Sequence, residues 1–250
     1  MFWETTYGGV LAPELVRAVQ PAAKFILMVR DPVERLYSDY LYFAYHTAFD
    51  KGPDRFDCVE SVFIPSWVRF ANLSFSVFLV CQPVSHVKPY PRALYTYDGP
   101  GFHRAAVQSV GVMEACLAQH SALVCVTATR RFRTMTQIQL GMYAVFFELW
   151  LAYFPRRQFL VLAQEDLAEH APTMLRQVSS FLNISALPAS AAQSQPRANA
   201  MSYNASSLLP ETRALLEGFY RPFNEQLAAM FQNPAFLFPH KKTQPRITQT

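Results

Sequence analysis

The chain has 250 residues, of which 51% are hydrophobic and 16% charged, and its formal net charge at pH 7 is +4. This length and composition suit one domain with a sizeable core, and they exclude an intrinsically disordered chain. Arginine supplies 17 of the 22 basic residues, which suits the recognition of phosphate, sulfate or carboxylate, although compositional bias explains this number equally well. No lysine tract or aromatic-interleaved basic patch indicates nucleic-acid binding, so we expect no nucleic-acid partner.

Signals for targeting and modification are sparse. Residues 1–4 lack the basic start of a signal peptide, and no stretch reaches the roughly 18 to 20 apolar residues that span a bilayer. Glycosylation sequons begin at Asn72, Asn183 and Asn204, and each is a weak signal alone because the pattern is common by chance. Four cysteines permit disulfides without establishing them.

The first predicted elements are a short helix and a strand. Residues 13–20 predict a helix with Leu15, Val16 and Val19 on one face. The apolar run FILMV at residues 25–29 has the length and the β-branched content of a buried strand.

The turn between this strand and the following helix is a candidate anion site. Asp31 can cap the helix, Pro32 fits its first position, and Glu34 lies where a capping-box acid belongs. The free N–H groups of a helix start attract anions. The planar fork of Arg30 suits phosphate, and Ser38 on the second turn can add a hydroxyl. The residues alone leave another interpretation open, in which this is an ordinary strand–helix unit and Arg30 pairs with an acid.

Residues 50–101 differ in character from both of their neighbours. Prolines interrupt any regular element there, and the uncharged aromatic run 70–81 is either a buried strand or an aggregation-prone segment. We interpret 50–101 as an insertion of irregular structure within a single domain, 1–250.

Regular structure is predicted again from residue 102. The predicted elements are helices at 102–120, 135–154, 171–182 and 210–231, a buried strand at 158–162, a loop at 186–207 and a frayed tail at 235–250. The helix at 135–154 is apolar around much of its circumference, which predicts that it is largely buried. Strands that alternate with helices indicate an α/β architecture with a parallel sheet.

Other candidate sites carry weaker signals. Arg130, Arg131 and Arg133 either grip a sulfated glycan or form a solvated basic turn. The six histidines are scattered without metal-ligand spacing, so we expect no metal site.

The string RDPVERLYSDY at residues 30–40 resembles the 3′-phosphate-binding motif of the Golgi carbohydrate sulfotransferases. Residues 102–126, 139–145, 158–162 and 219–224 are similar to the N-acetylgalactosamine 4-sulfate 6-O-sulfotransferase subfamily. The resemblance implies a P-loop-kinase-like parallel sheet flanked by helices. It also implies that Arg30 and Ser38 hold the 3′-phosphate of the co-substrate 3′-phosphoadenosine 5′-phosphosulfate (PAPS).

The resemblance also implies an activity and a compartment. The subfamily transfers a sulfonate from PAPS to the 6-hydroxyl of N-acetylgalactosamine 4-sulfate in chondroitin or dermatan sulfate. We therefore expect a transferase with a glycosaminoglycan acceptor, glycosylated in the Golgi lumen and held there by an anchor outside this sequence. A disulfide between Cys116 and Cys125 is implied too, because both lie in a family-like segment and a luminal compartment is oxidising.

The chain departs from the family where the sulfonate donor binds. The family's 5′-phosphosulfate loop precedes its 3′-phosphate motif, but residues 1–23 hold no Gly-rich, Lys-bearing loop. Ala163 and Gln164 precede Glu165, where the family has an arginine. We therefore expect the N-terminal strand and the phosphosulfate loop to be missing and the chain to be inactive by itself, and no catalytic base is assigned.

Three interpretations of function remain at this point. The chain is a sulfotransferase domain whose full-length form is active, or a catalytically inactive module that binds a nucleotide or a glycan. A small-nucleotide kinase of related fold is the weakest of the three, because the absent phosphate loop counts equally against it.

Overall fold

The computed structural model describes residues 6–7, 10–49, 98–127, 137–185 and 208–239. The helices within these residues are α1 (Ala12–Val19), α2 (Pro32–Phe49), α3 (Gly99–Leu117), α4 (Ala122–Thr127), α5 (Tyr143–Leu151), α6 (Leu167–Leu182) and α7 (Pro210–Phe231). The strands are β1 (Thr6–Tyr7), β2 (Val10–Leu11), β3 (Phe25–Val29) and β4 (Phe159–Ala163). Residues 51–97, the arginine cluster at 130–133 and the predicted loop at 186–207 lie outside the described part of the chain.

The two predicted strands pair with each other in parallel. Phe25 lies opposite Phe159, and the register continues to Val29 opposite Ala163. The described helices pack around this pair, so the predicted α/β architecture with a parallel sheet flanked by helices is confirmed. The two-residue strands β1 and β2 form a separate antiparallel pair. None of the helices that the structure describes is long and apolar enough to cross a membrane.

Two hydrophobic clusters form the core. The first lies among α2, α3, α5 and α7, and its fully buried members include Leu36, Phe102, Met113, Ile138, Leu216 and Tyr220. The second lies under the sheet and includes Phe25, Val29, Phe147, Trp150, Phe159 and Phe231. Helix α5 supplies Phe146 to the first cluster and Phe147 to the second, so its predicted burial on most sides is confirmed.

The prediction that β3 is buried on both faces is wrong. Phe25, Leu27 and Val29 are buried, but Ile26 is 42% exposed and Met28 is 50% exposed. Residues of alternate parity point to opposite faces of a strand, and the second core cluster covers only the face of Phe25. The apolar composition of β3 therefore predicted the strand correctly and its outer face incorrectly.

The predicted helix at 135–154 is divided in two. A 3-10 turn covers Ile138–Gly141, Met142 has non-helical angles (φ −81°, ψ 57°), and α5 begins at Tyr143. At the break, Gly141 lies against the Tyr220 ring and Pro32 with no room for a side chain.

Two other helices differ from their predicted limits or faces. Helix α1 leaves two of the three apolar residues of its predicted face exposed, Leu15 at 45% and Val19 at 71%. Helix α6 begins four residues before the predicted start and bends at His170, whose φ of −129° is not helical. The bend lies just before Pro172, which lacks the N–H of a regular helical turn.

The ends of the predicted irregular segments are also corrected. Helix α3 begins at Gly99, capped by the Asp98 carboxylate, which accepts a hydrogen bond from the Gly101 N–H at 2.5 Å. Residues 99–101 therefore belong to the helix, Asp98 is its cap, and none of the four belongs to the predicted insertion. The tail is not frayed at its start, because Phe236 is 1% exposed and packs against Phe231. Helix α7 has its predicted limits.

The predicted disulfide is present. Cys116 near the end of α3 and Cys125 in α4 are bonded, with their Cα atoms 5.8 Å apart. Both residues are buried in the first core cluster, so the disulfide joins the short helix α4 to the core.

Candidate functional site

The candidate site lies at the carboxyl ends of the two parallel strands, which meet at one edge of the sheet. Arg30 and Asp31 follow β3, and the turn Gln164–Asp166 follows β4. A side chain of the second turn reaches the first, since the Glu165 carboxylate accepts a hydrogen bond from the Asp31 N–H at 2.7 Å. Ligands of open α/β sheets bind at this edge, so we describe this turn as the candidate site.

The start of α2 is capped as predicted, but by a different set of acids. Asp31 Oδ1 accepts a hydrogen bond from the Val33 N–H at 2.8 Å, which confirms Asp31 as the cap. Glu34 does not act as a capping-box acid; it forms an ion pair with Arg213 of α7. Glu165 takes the backbone N–H that a capping-box acid would bind.

These contacts correct the expectation of free N–H groups at the start of α2. A carboxylate binds the N–H of Asp31, and the Asp31 carboxylate binds those of Val33 and Glu34. Pro32 has no N–H, and the N–H of Arg35 makes the first regular helical bond, to the Asp31 carbonyl. An anion at this helix start must therefore be held by side chains. Burial raises the pKa of the Asp31 carboxyl, although its hydrogen bond from Val33 opposes the rise.

Arg30 and Ser38, the two predicted phosphate ligands, are both half-buried. Burial raises the pKa of the Asp39 carboxyl, while the charges of Arg35 and Arg30 oppose that rise. The positive charge of Arg30 therefore acts on the Asp39 carboxyl, which follows Ser38 in the second turn of α2. Their role as ligands of a phosphate remains a prediction.

A buried polar network formed by Arg35, Asp39 and Tyr220 lies next to this strand–helix turn. Arg35 is 17% exposed, forms an ion pair with Asp39 and donates to the Gln137 carbonyl at 2.9 Å. The Tyr220 hydroxyl is fully buried and donates to the Ile138 carbonyl at 2.8 Å. The network therefore ties α2 to the chain segment that precedes α5.

Electrostatics keep this network in one protonation state. Burial alone would lower the pKa of Arg35, but the oxygens of Tyr220, Asp39 and Tyr143 favour its charged form, and the net effect raises the pKa. Burial raises the pKa of Tyr220 and Tyr143 as well, although Arg35 opposes both rises. Arg35 therefore stays charged and both hydroxyls stay protonated donors at neutral pH.

Sequence reasoning missed two residues that contact the Arg30 turn. Tyr143 was predicted only as a core residue, yet its hydroxyl donates to the Arg30 carbonyl at 3.0 Å. Glu165 was noted without a role. A signal existed for both, because a buried tyrosine hydroxyl usually finds a partner and Glu165 follows the strand that pairs with β3.

The second carboxylate oxygen of Glu165 raises the question of whether it belongs to a metal or catalytic centre. Glu165 Oε2 is buried and has no hydrogen-bond partner within the part of the chain that the structure describes. In those same residues no group of histidine, cysteine, aspartate and glutamate side chains could hold a metal ion. The arrangement suits the binding of an anion through side chains, and no residue in it is assigned as a catalytic base.

Comparison with known proteins identifies the family. The family model described as "Sulfotransferase domain" matches residues 11–214. The chain belongs to the sulfotransferase domain family. Arg30, Ser38, Tyr143 and Glu165 all lie within the matched residues of this sulfotransferase domain.

Individual relatives agree with the family. Carbohydrate sulfotransferase 15 of Homo sapiens is 30% identical over an alignment of 235 residues. The match covers 90% of this chain and 33% of the human protein. The protein of the same name from Mus musculus gives the same values. The predicted resemblance to carbohydrate sulfotransferases is therefore confirmed, and the chain spans about a third of the length of these relatives. A solved sulfotransferase from Alicyclobacillus acidocaldarius matches with a TM-score of 0.47 and 18% identity, over 94% of this chain and 64% of that chain.

Proposed function

We propose that this sulfotransferase domain binds the 3′-phosphate of PAPS through Arg30 and Ser38. The observation that supports this most is the placement of Arg30 at the carboxyl end of a parallel strand, directly before the helix α2 that carries Ser38 in its second turn. Because carboxylates bind the first backbone donors of α2, recognition relies on the guanidinium fork and the hydroxyl.

The reaction that we propose for the full-length protein is sulfonate transfer to a glycosaminoglycan. An acceptor hydroxyl oxygen attacks sulfur, the bond from sulfur to the leaving phosphate oxygen breaks, and the hydroxyl proton passes to a base. The named relatives are carbohydrate sulfotransferases, which supports a sugar acceptor. Within that class we propose the 6-hydroxyl of N-acetylgalactosamine 4-sulfate in chondroitin or dermatan sulfate.

We place the protein in the Golgi lumen as a glycoprotein. The Cys116–Cys125 disulfide supports an oxidising compartment. The sequon at Asn183 supports glycosylation, because this residue caps the end of α6 in a left-handed conformation and is exposed. Membrane attachment is proposed only through an anchor outside this sequence.

Calorimetric titration with adenosine 3′,5′-bisphosphate tests the proposed site. Arg30→Ala removes a charge-assisted contact worth about 1.5 to 3 kcal/mol, so we expect roughly 10- to 150-fold weaker binding. Ser38→Ala should weaken binding by about 2- to 10-fold. Arg157→Ala is the matched control, because it removes the same charge from an exposed position. If Arg30→Ala binds as tightly as the Arg157→Ala control, the proposed site is wrong.

The chain 1–250 alone is expected to bind nucleotide without transferring sulfonate. Transition-state charge on the leaving phosphate needs an anion cradle, and the loss of one such donor costs about 10²- to 10³-fold in rate. Loss of a general base lowers the rate by a further factor of about 10² to 10⁴. A radiolabelled assay with PAPS and chondroitin 4-sulfate measures this, and turnover by 1–250 near that of a full-length relative contradicts it.

The alternative is a catalytically inactive module that binds a nucleotide or a glycan. A natural form of the protein that carries no Gly-rich, Lys-bearing loop before its 3′-phosphate motif would support this alternative. The same transfer assay on a longer natural form of the protein separates the two, since transfer supports the enzyme and nucleotide binding without transfer supports the module.

A further inference from the structure

We infer that Tyr143 and Glu165 are positioning residues that hold the Arg30–Asp31 peptide and thereby aim the Arg30 side chain. This inference rests on the proposed role of Arg30. Neither residue is placed in contact with the nucleotide; each acts through the backbone next to the residue that binds it.

The two contacts fall on the two polar groups of one peptide unit. The Tyr143 hydroxyl donates to the Arg30 carbonyl oxygen at 3.0 Å. The Glu165 carboxylate accepts from the Asp31 N–H at 2.7 Å. In a trans peptide the carbonyl and the N–H point in opposite directions, so the two side chains hold the unit from opposite sides. Rotation of this peptide about its flanking dihedral angles would break both bonds.

The two clamping residues are themselves fixed by the fold. Tyr143 is the first residue of α5, is 4% exposed and packs in the cluster under the sheet. Glu165 lies in the short turn after β4, whose last residue, Ala163, is paired with Val29. The start of α5 and the end of β4 therefore each place one side chain against the Arg30–Asp31 peptide.

A fixed peptide matters for an arginine more than for a lysine. The guanidinium binds phosphate through a planar fork, which must arrive in the correct orientation. Small misplacements of a positioned group can cost as much as 10²-fold in enzymes, and functional side chains need support from the residues behind them. The clamp supplies that support on the backbone side of Arg30.

The competing explanation is that both contacts only stabilise the fold. A ratio separates the two explanations: the Kd of adenosine 5′-monophosphate divided by the Kd of adenosine 3′,5′-bisphosphate. This ratio isolates the contribution of the 3′-phosphate, because the first ligand lacks it. General destabilisation changes both dissociation constants together and leaves the ratio unchanged, whereas misdirection of Arg30 lowers the ratio.

The experiment measures this ratio for the full chain by calorimetry. Tyr143→Phe removes only the hydroxyl, and we expect the ratio to fall roughly 2- to 10-fold. Ser179→Ala is the control, since it removes a buried hydroxyl that donates to the Leu175 carbonyl within α6 and makes no contact with the Arg30–Asp31 peptide. Its ratio should stay at the parent value. Glu165→Ala should lower the ratio, and Glu165→Gln, which keeps an acceptor oxygen, should restore it.

Combination with Arg30→Ala completes the test. If Tyr143 acts through Arg30, Tyr143→Phe should not lower the ratio further once Arg30 is removed. A folded Tyr143→Phe variant with the parent ratio overturns the inference, and if that variant does not fold, the Glu165 pair decides by the same criterion. If Arg30→Ala itself keeps the parent ratio, the proposed function fails instead, so the two failures are distinguishable.

Discussion

Gly141 shows how little space separates the helices around the candidate site. A Cβ atom at this position would lie 2.7 Å from Tyr220 Cε1 and 2.8 Å from the Cβ atom of Pro32. Pro32 is the first residue of α2, and Tyr220 is a fully buried residue of α7. The missing side chain at Gly141 therefore allows α7 to approach the start of α2.

We expect Gly141→Ala to lower the free energy of unfolding by about 1 to 3 kcal/mol, because the added methyl group overpacks this contact. Urea denaturation followed by circular dichroism measures the change. Gly218→Ala is the control, since that glycine lies within α7 with no atom within 4 Å of the added carbon. The free energy of unfolding of the control should rise by about 0.5 to 1 kcal/mol, because alanine is favoured over glycine within a helix. A Gly141→Ala variant that is as stable as the parent contradicts the tight packing.

At the same scale, local contacts were predictable and distant ones were not. The cap at Asp31 was found from the sequence because a cap and its N–H lie two residues apart. The partner of Glu34 is Arg213, 179 residues away, and the partner of the Asp31 N–H is Glu165, 134 residues away. Local capping rules placed Glu34 on the helix start because nothing in the neighbouring residues shows these distant groups.

At the scale of elements, periodicity located the helices but not every break. The apolar spacing between 135 and 154 continues through Met142, yet the backbone leaves the helix there. Gly141, just before the break, contacts residues of α2 and α7, and no spacing rule within one segment can show such contacts. The strand β3 was found by its composition, whereas its exposed face depends on which elements pack against it.

The disulfide is the strongest local link of α4, a helix of six residues. We expect the double substitution of Cys116 and Cys125 by serine to lower the free energy of unfolding by about 2 to 3 kcal/mol, since the bond closes a short loop. Chemical denaturation with and without a reductant measures this, and reduction should bring the parent to the stability of the variant. Mass spectrometry that finds both thiols free in protein from the secretory pathway contradicts the bond.

At the scale of the whole molecule, one local string carried most of the prediction. Residues 30–40 pointed to the family, and the family model then matched residues 11–214. The parallel pairing of β3 and β4 follows from the alternation of strands and helices. The clamp on Arg30 could not be predicted in this way, because it depends on where α5 begins in three dimensions.

The segment 51–97 is predicted to be dispensable, with the boundary moved to spare the Asp98 cap of α3. Replacement of 51–97 by a short Gly/Ser linker should leave the affinity for adenosine 3′,5′-bisphosphate within about twofold, because none of the proposed ligands lies in it. Solubility should stay equal or improve, since the run 70–81 is aggregation-prone by composition. A deletion variant that no longer unfolds cooperatively contradicts the prediction.

The pairing of β3 with β4 also has a consequence for how fast the protein folds. Every pair of residues in the β3–β4 register is 134 positions apart in the sequence. The hydrogen bond between Asp31 and Glu165, just beyond the strand ends, spans the same separation. Contacts of such long sequence separation raise the contact order and slow folding, because the loop must close before the strands stabilise each other. Helices α3 and α7 can form earlier from local contacts, so sheet formation becomes the slow step of refolding. Removal of 51–97 shortens that loop by about a third, which lowers the closure cost by about 0.4 kcal/mol and speeds refolding about twofold.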